Sequence, residues 1–200
     1  MESVTVSGMP TPPFISISSL FQKDPPAPPA VRIEPEPPGE PFAEWLPVYD
    51  LEAVACELGP SVAAEPLGWV RVPEGMRGDD HCFVAKVFGR AMEPLIPNGA
   101  YCMFRIAGGS SHRGKILLLQ HHAIWDPDTG GTYTVARYET VSESAPSSEP
   151  ASGHGPISDH TWRHTSIRLM PLNPAFAAIS LSPDQAEDLR IIAEFMRVIG

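Results

Sequence analysis

The sequence predicts an all-β domain behind a Pro-rich N-terminal segment. Short runs of β-branched, aromatic and aliphatic residues recur along the chain, and turns rich in Gly and Pro separate them. Helical periodicity is scarce between these turns. Of the 24 prolines, 11 fall within residues 1–41. The remainder, residues 42–200, has an ordinary size for one domain.

Seven segments with strand character are predicted to build this domain as a sandwich or barrel-like fold. They are 45–49, 68–72, 83–88, 101–106, 115–120, 132–138 and 189–199. The last segment is rich in β-branched residues, although its spacing also fits a helix. Further apolar runs at 165–171 and 176–181 flank an Asn-Pro turn, and Ser182-Pro183-Asp184 predicts one capped helical turn. Residues 142–160 are rich in Ser, Pro and Gly and predict a mobile loop.

Residues 1–41 are predicted to form a flexible tail, since proline removes amide donors and disfavours helix and central strand. One apolar segment, Phe14 to Phe21, interrupts it, with Ile15 and Ile17 alternating with serines. This segment could dock on a protein partner by adding a strand to a sheet edge. The alternative is that it is an apolar piece of a disordered tail.

The charge and the hydropathy of the chain limit the classes of partner that it is expected to bind. The net charge is −10 with only 14 Lys and Arg, which argues against direct DNA binding, because a phosphate backbone requires clustered cations. An acidic surface favours protein partners. No apolar run approaches the ~20 residues that span a bilayer, and no signal peptide is recognisable, so the predicted location is the cytoplasm.

Cysteine and histidine spacing predicts neither disulfides nor a metal. The three cysteines, Cys56, Cys82 and Cys102, are an odd number without paired spacing. His160 and His164 stand four apart, but the segment lacks a helical pattern that would place both rings on one face. The other candidates, among them His121-His122, lack CxxC spacing. No cofactor is expected.

The turn between segments 83–88 and 101–106 is where chemistry is expected. Gly89 opens it and Pro94 closes it, with Ala91 and Met92 between them. A small residue on such a turn is where a nucleophile would be presented. Alanine has no nucleophilic atom.

Four motifs in order resemble the LexA-like S24 peptidase family. Residues 83–99, FVAKVFGRAMEPLIPNG, resemble its nucleophile segment V-x-G-x-S-M-x-P-x-I-x-x-G. RGKILL at 113–118, YTVARY at 133–138 and IRLMPLNP at 167–174 resemble its later strands and its L-x-P-x-N-P turn. The similarity covers about residues 45–199 and implies a β-rich domain of the LexA and signal-peptidase kind.

The family uses a Ser–Lys dyad, in which a buried neutral lysine removes the proton of the attacking serine. The serine position here is Ala91 and the lysine position is Ala136. The resemblance further implies that the Ala91 amide belongs to an oxyanion hole, with Gly89, Met92 and Pro94 supporting the turn. Without nucleophile and base, the chain is predicted to be inactive.

Members of the family often cleave themselves upstream of the nucleophile. The matching stretch is residues 53–57, with Cys56–Glu57 as the aligned bond, and its small side chains suit a strand that enters a narrow cleft. Glu57 stands where glycine is expected, which keeps a separate protein substrate open. The alternative is a plain strand-to-loop segment.

Two origins of the alanines remain open. Deliberate replacement would leave an inactivated form of a self-cleaving or partner-cleaving stress-response switch of the SOS type. Natural decay would leave a pseudopeptidase that acts as a non-catalytic interaction module. The resemblance also implies a homodimer and, as partners, a RecA filament or a translesion polymerase of the UmuD kind.

Overall fold

The computed structural model describes residues 27–56, 65–108, 111–142 and 165–199. These residues form nine strands and two short helices. The strands are β1 Trp45–Tyr49, β2 Gly68–Arg71, β3 Cys82–Val87, β4 Ala100–Ile106, β5 Ile116–Gln120, β6 Tyr133–Ser142, β7 Thr165–Met170, β8 Ile179–Leu181 and β9 Arg190–Val198; the helices are α1 Leu51–Cys56 and α2 Pro183–Ala186. The fold is therefore mostly β-sheet, as the sequence predicts.

The nine strands form one sheet in the order β2-β1-β3-β4-β9-β5-β6-β7-β8. β1 and β3 pair in parallel, and the other neighbours are antiparallel. The C-terminal strand β9 lies between β4 and β5, and both of these pairings contain a register shift. Such irregularities bend a sheet and increase its twist. β9 thus joins two four-stranded halves, which confirms the strand interpretation of segment 189–199.

Side chains on both faces of the central strands are buried. In β3, Phe83, Ala85 and Val87 pack in one cluster, while Cys82 and Val84 pack in another on the opposite face. A strand that is covered on both sides needs a continuous apolar run instead of an alternating one. A third cluster lies between β5, β6, β7 and α2.

The N-terminal boundary of the domain lies earlier than residue 42. Val31 and Ile33 pack against the cluster that contains Val84, and Glu34 exchanges two backbone hydrogen bonds with Trp69 of β2, at 2.8 and 2.7 Å. The predicted tail over residues 1–41 therefore contributes to the folded domain from Val31 onward. The segment Phe14–Phe21 lies outside the described residues.

Several local predictions can also be compared with the structure. The capped helical turn is confirmed: Ser182 accepts from the backbone N–H of Gln185, and Gln185 in turn accepts from the Ser182 N–H. The predicted loop 142–160 begins inside β6, which runs to Ser142, and residues 143–164 lie outside the described part. No helix in the described ranges has the length and hydropathy that crossing a membrane requires.

Two of the three cysteines are buried free thiols, Cys82 and Cys102. Burial raises the pKa of Cys102 to about 12. Burial and a hydrogen bond to the Asp79 carboxylate raise the pKa of Cys82 to about 11. The folded state therefore keeps protons on these thiols at a pH where the unfolded chain has lost them.

Stability is expected to fall as the pH rises above about 9, because the folded state then binds more protons than the unfolded state. Cys102 alone would account for a loss on the order of 4 kcal/mol in the free energy of unfolding between pH 9 and 12. Urea unfolding over this range, compared with Cys102→Ala, measures the contribution. The variant should lose less stability per pH unit; equal slopes for the two proteins would contradict the assignment.

Candidate functional site

The turn after β3 is held by hydrogen bonds between its own residues. Gly89 has a φ of 101°, and its N–H donates to Asn98 Oδ1 at 3.0 Å. The Ile96 N–H donates to the Met92 carbonyl at 3.0 Å, and the side chains of both residues are buried. Met92 therefore anchors the turn in the core, while Ala91 remains half-buried at the surface.

A second turn, after β7, is bound to the first. The N–H groups of Leu172 and Asn173 both donate to the Ala91 carbonyl at 2.9 Å, and Asn173 Nδ2 donates to the Arg90 carbonyl at 3.0 Å. The Ala91 N–H donates to no group among the described residues. An amide held in place by its neighbours but without an acceptor can bind an anionic oxygen.

Ala91 and Ala136 line the same cavity. Ala136 lies in β6 opposite Leu117 of β5, and 6% of its surface is exposed. The cavity has a volume of about 150 Å³. Its apolar wall is formed by Val135, Leu169, Pro171, Phe176, Ala177 and Ile179, with Trp125 and Pro127 from the β5–β6 connection. The structure thus brings together the two residues that the sequence singled out.

Two carboxylates lie at this cavity, and neither was predicted. Asp126 accepts from the Thr134 hydroxyl at 3.0 Å through Oδ2 and from the Asp128 N–H at 2.9 Å through Oδ1. Asp128 is exposed and lies against Gly89. The lining residues include no Lys, Arg or His. In the sequence, residues 126–131 indicate a turn. The one signal of a role in the site is that this turn directly precedes the motif in β6.

The predicted cleavage segment is helical up to Cys56. Asp50 Oδ1 accepts from the N–H groups of Glu52 and Ala53 at 2.8 and 3.3 Å, which caps the start of α1. Val54 and Ala55 are buried against the β3 cluster. The expectation of an extended strand here is therefore wrong, because the cap and the apolar spacing of Leu51, Val54 and Ala55 favour a helix. Glu57 lies outside the described residues.

One group of side chains has the composition of a metal site. Ligand atoms of His121, His122 and Asp188 lie within 4.8 Å of one another. However, the Ala123 N–H donates to His121 Nδ1 at 3.0 Å, which places the proton of the neutral ring on Nε2. Nε2 is buried and has no hydrogen-bond partner among the described residues, and it offers no lone pair to a metal in this tautomer.

The fold and the site therefore define a β-sheet protein with a small, mostly apolar cleft beside an amide that has no acceptor among the described residues. Neither the models of known protein families nor the curated proteins contain a match to this chain.

The positive φ of Gly89, together with its approach to Asp128, predicts that substitution is destabilising. A Cβ on Gly89 would lie 2.8 Å from Asp128 Oδ2, and its φ of 101° is strained for any other residue. Gly89→Ala should lower the free energy of unfolding by about 2–3 kcal/mol. Gly75→Ala is the matched control, since Gly75 also has a positive φ of 79° but no atom within 4 Å of the added Cβ. Equal losses in urea unfolding would show that the Asp128 contact has no effect.

Proposed function

We propose that the chain is a serine-peptidase domain of the LexA/UmuD kind whose nucleophile and base positions both hold alanine. It would bind a peptide segment without cleaving it. The observation that supports the proposal is the cavity lined by both Ala91 and Ala136. These positions lie 45 residues apart in the sequence, on different elements, and were paired through the resemblance alone.

The chemistry that remains is binding and oxyanion stabilisation. A methyl group at position 91 cannot attack a carbonyl, and a methyl group at position 136 cannot accept a proton. The Ala91 N–H is oriented by the hydrogen bonds to the Ala91 and Arg90 carbonyls, and it is available to a substrate carbonyl oxygen. Such a donor stabilises an oxyanion but does not generate one.

A separate protein segment is the better candidate for the peptide. Residues up to Cys56 belong to α1, and the side chains of Val54 and Ala55 are enclosed in the core. Cleavage at Cys56–Glu57 would require this helix to unwind and lose its apolar contacts. A peptide from another chain needs no such rearrangement.

Cleavage by the variant Ala91→Ser/Ala136→Lys tests the proposal. The purified variant is incubated alone and with candidate partners, and intact mass reports whether either chain is cut. Ala91→Ser/Ala136→Met is the control, because methionine fills the cavity without an amine. A cut that needs both serine and lysine supports an inactivated peptidase.

The second candidate function is a natural pseudopeptidase that acts as an interaction module. The cavity favours it in one respect, since its rim carries Trp125 with 69% of its surface exposed. If the double variant leaves every chain intact, this second function is supported. The role of the Phe14–Phe21 segment is tested by deleting residues 1–26, since a deletion to residue 40 would also remove the Val31, Ile33 and Glu34 contacts.

Other parts of the proposal rest on the resemblance alone. They are homodimerisation, contact with a RecA filament or a polymerase, and a role in the SOS response; the cytoplasmic location is proposed from the sequence pattern itself. Size-exclusion chromatography with light scattering tests the first of these.

A further inference from the structure

A larger cavity lies at the other end of β3. The peptidase-like turn follows the last residue of β3, whereas this cavity is lined by residues at its start, including Cys82 and Phe83. Its volume is about 400 Å³, within the range of small-molecule sites. We call it the β3-start cavity. Its lining includes the apolar residues Tyr49, Phe83, Ile106 and Ala107 and the charged residues Asp80 and Arg190.

The walls of this cavity are mostly apolar, with Asp80, His81 and Arg190 as their polar part, and they are held in place by the sheet. The Ile106 N–H donates to the His81 carbonyl at 2.8 Å, and the Ala107 N–H donates to the Ile192 carbonyl at 3.0 Å. The rings of Tyr49 and Phe83 pack with their centroids 6.2 Å apart. Three strand ends are thereby tied together, so the cavity is formed before any ligand arrives.

Arg190 at the cavity has no acidic partner in the part of the chain that the structure describes. The half-buried Arg190 donates from Nη1 to the neutral amide of Gln120 at 2.7 Å, and no carboxylate of the described residues lies within ion-pair distance of it. Asp79 forms an ion pair with Arg105, and the exposed Asp80 lies 3.6 Å from His81 Nδ1.

Arg190 is the one lysine or arginine among the residues that line this cavity. The guanidinium carries five N–H donors in a planar fork that matches a carboxylate. Gln120 engages Nη1, which leaves other donors for a ligand.

We propose that the β3-start cavity binds a small amphipathic carboxylate, with its head group on Arg190 and its apolar body against Tyr49, Phe83 and Ile106. The site is independent of the proposed peptidase-like function. It needs neither Ala91 nor Ala136, and it would remain if that proposal failed.

A series of matched ligands tests the chemistry of the site. Octanoate, octylamine and octanol are titrated into the full chain at neutral pH by calorimetry. Octanoate should bind at least about tenfold more tightly than the other two. The net charge of the protein by itself favours the ammonium, so this order requires a local cation. Equal binding of all three ligands, preference for the amine, or no binding of octanoate at millimolar concentration would overturn the proposal.

Substitution of the arginine tests the location. Arg190→Gln should weaken octanoate binding about 10- to 100-fold and leave octanol unchanged. Arg197→Gln is the matched control, since Arg197 lies on the same strand, is exposed and does not line the cavity. Ala107→Phe should abolish binding by filling the cavity. Thermal unfolding verifies that each variant is folded, and unchanged octanoate affinity in folded Arg190→Gln would place the binding elsewhere.

Discussion

Ala91→Ser combined with Ala136→Lys is expected to create a serine that a phosphonofluoridate labels covalently. The reagent needs an activated hydroxyl but no peptide substrate, so the outcome does not depend on knowing the partner. Nucleophile and base act as a unit. A variant with either substitution alone should therefore react at least about a thousandfold more slowly than the double variant. Intact mass measures one added phosphonyl group per chain.

The labelling rate of the double variant should rise with pH. The lysine must lose its proton to act as a base; burial lowers the pKa of such an ammonium, whereas the nearby carboxylates of Asp126 and Asp128 raise it. Adding Asp128→Asn should move the rise to lower pH. Ala91→Ser/Ala136→Met is the control for the serine alone. A double variant that reacts no faster than this control would contradict the assignment of the two positions.

Phe104→Ala is expected to be the most destabilising single substitution considered. Phe104 is fully buried, stacks on Phe83 with centroids 5.6 Å apart and meets Phe195 edge to face at 6.1 Å. Truncation leaves a cavity beneath β3, β4 and β9 and should lower the free energy of unfolding by about 3–5 kcal/mol. At this chain length that corresponds to a fall in Tm on the order of 10 °C.

Phe88→Ala is the matched control for that experiment. Phe88 is 51% exposed, and the ammonium of Lys86 lies 5.2 Å from its ring centroid. Its loss should remain within about 1 kcal/mol. Urea midpoints measure both variants. A Phe104→Ala loss no larger than that of Phe88→Ala would mean that the aromatic cluster is not the centre of the core.

The strands could be predicted from the sequence because each has a local signal. Segments such as 45–49 and 115–120 are apolar and bounded by turns, and they recur as β1 and β5. Their neighbours in the sheet could not be predicted. The pairing of β9 with both β4 and β5 depends on contacts between residues far apart in the chain.

The helix α1 was missed because its signals are weak. It is only six residues long, and most of its apolar residues are small. The Asp50 cap becomes evident only where its carboxylate meets the N–H groups of Glu52 and Ala53. A strand was expected there because small side chains suit a narrow cleft, and that expectation came from the resemblance.

The candidate site likewise contains residues that could be predicted from the sequence and residues that could not. Ala91 and Ala136 were found from motifs, since each lies in a run whose residue types are distinctive. Asp126 and Asp128 were not, because their sequence context indicates only a turn. Their place at the cavity depends on the β5–β6 connection lying beside Gly89, which is a tertiary contact.

The proposed function depends most directly on residues 91 and 136 lying close together at one cavity. The variant Ala91→Cys/Ala136→Cys, treated with dibromobimane, measures this, because the reagent becomes fluorescent when it bridges two nearby thiols. Single-cysteine variants correct for Cys56, Cys82 and Cys102, and Ala91→Cys/Arg105→Cys is the distant pair, since Arg105 lies opposite Cys82 at the start of β3 and Ala91 follows the end of that strand. The account predicts a fluorescent bridge within one chain for the 91/136 pair and none for the distant pair. If monobromobimane alkylates both new thiols but dibromobimane forms no bridge between them, the proposal is contradicted.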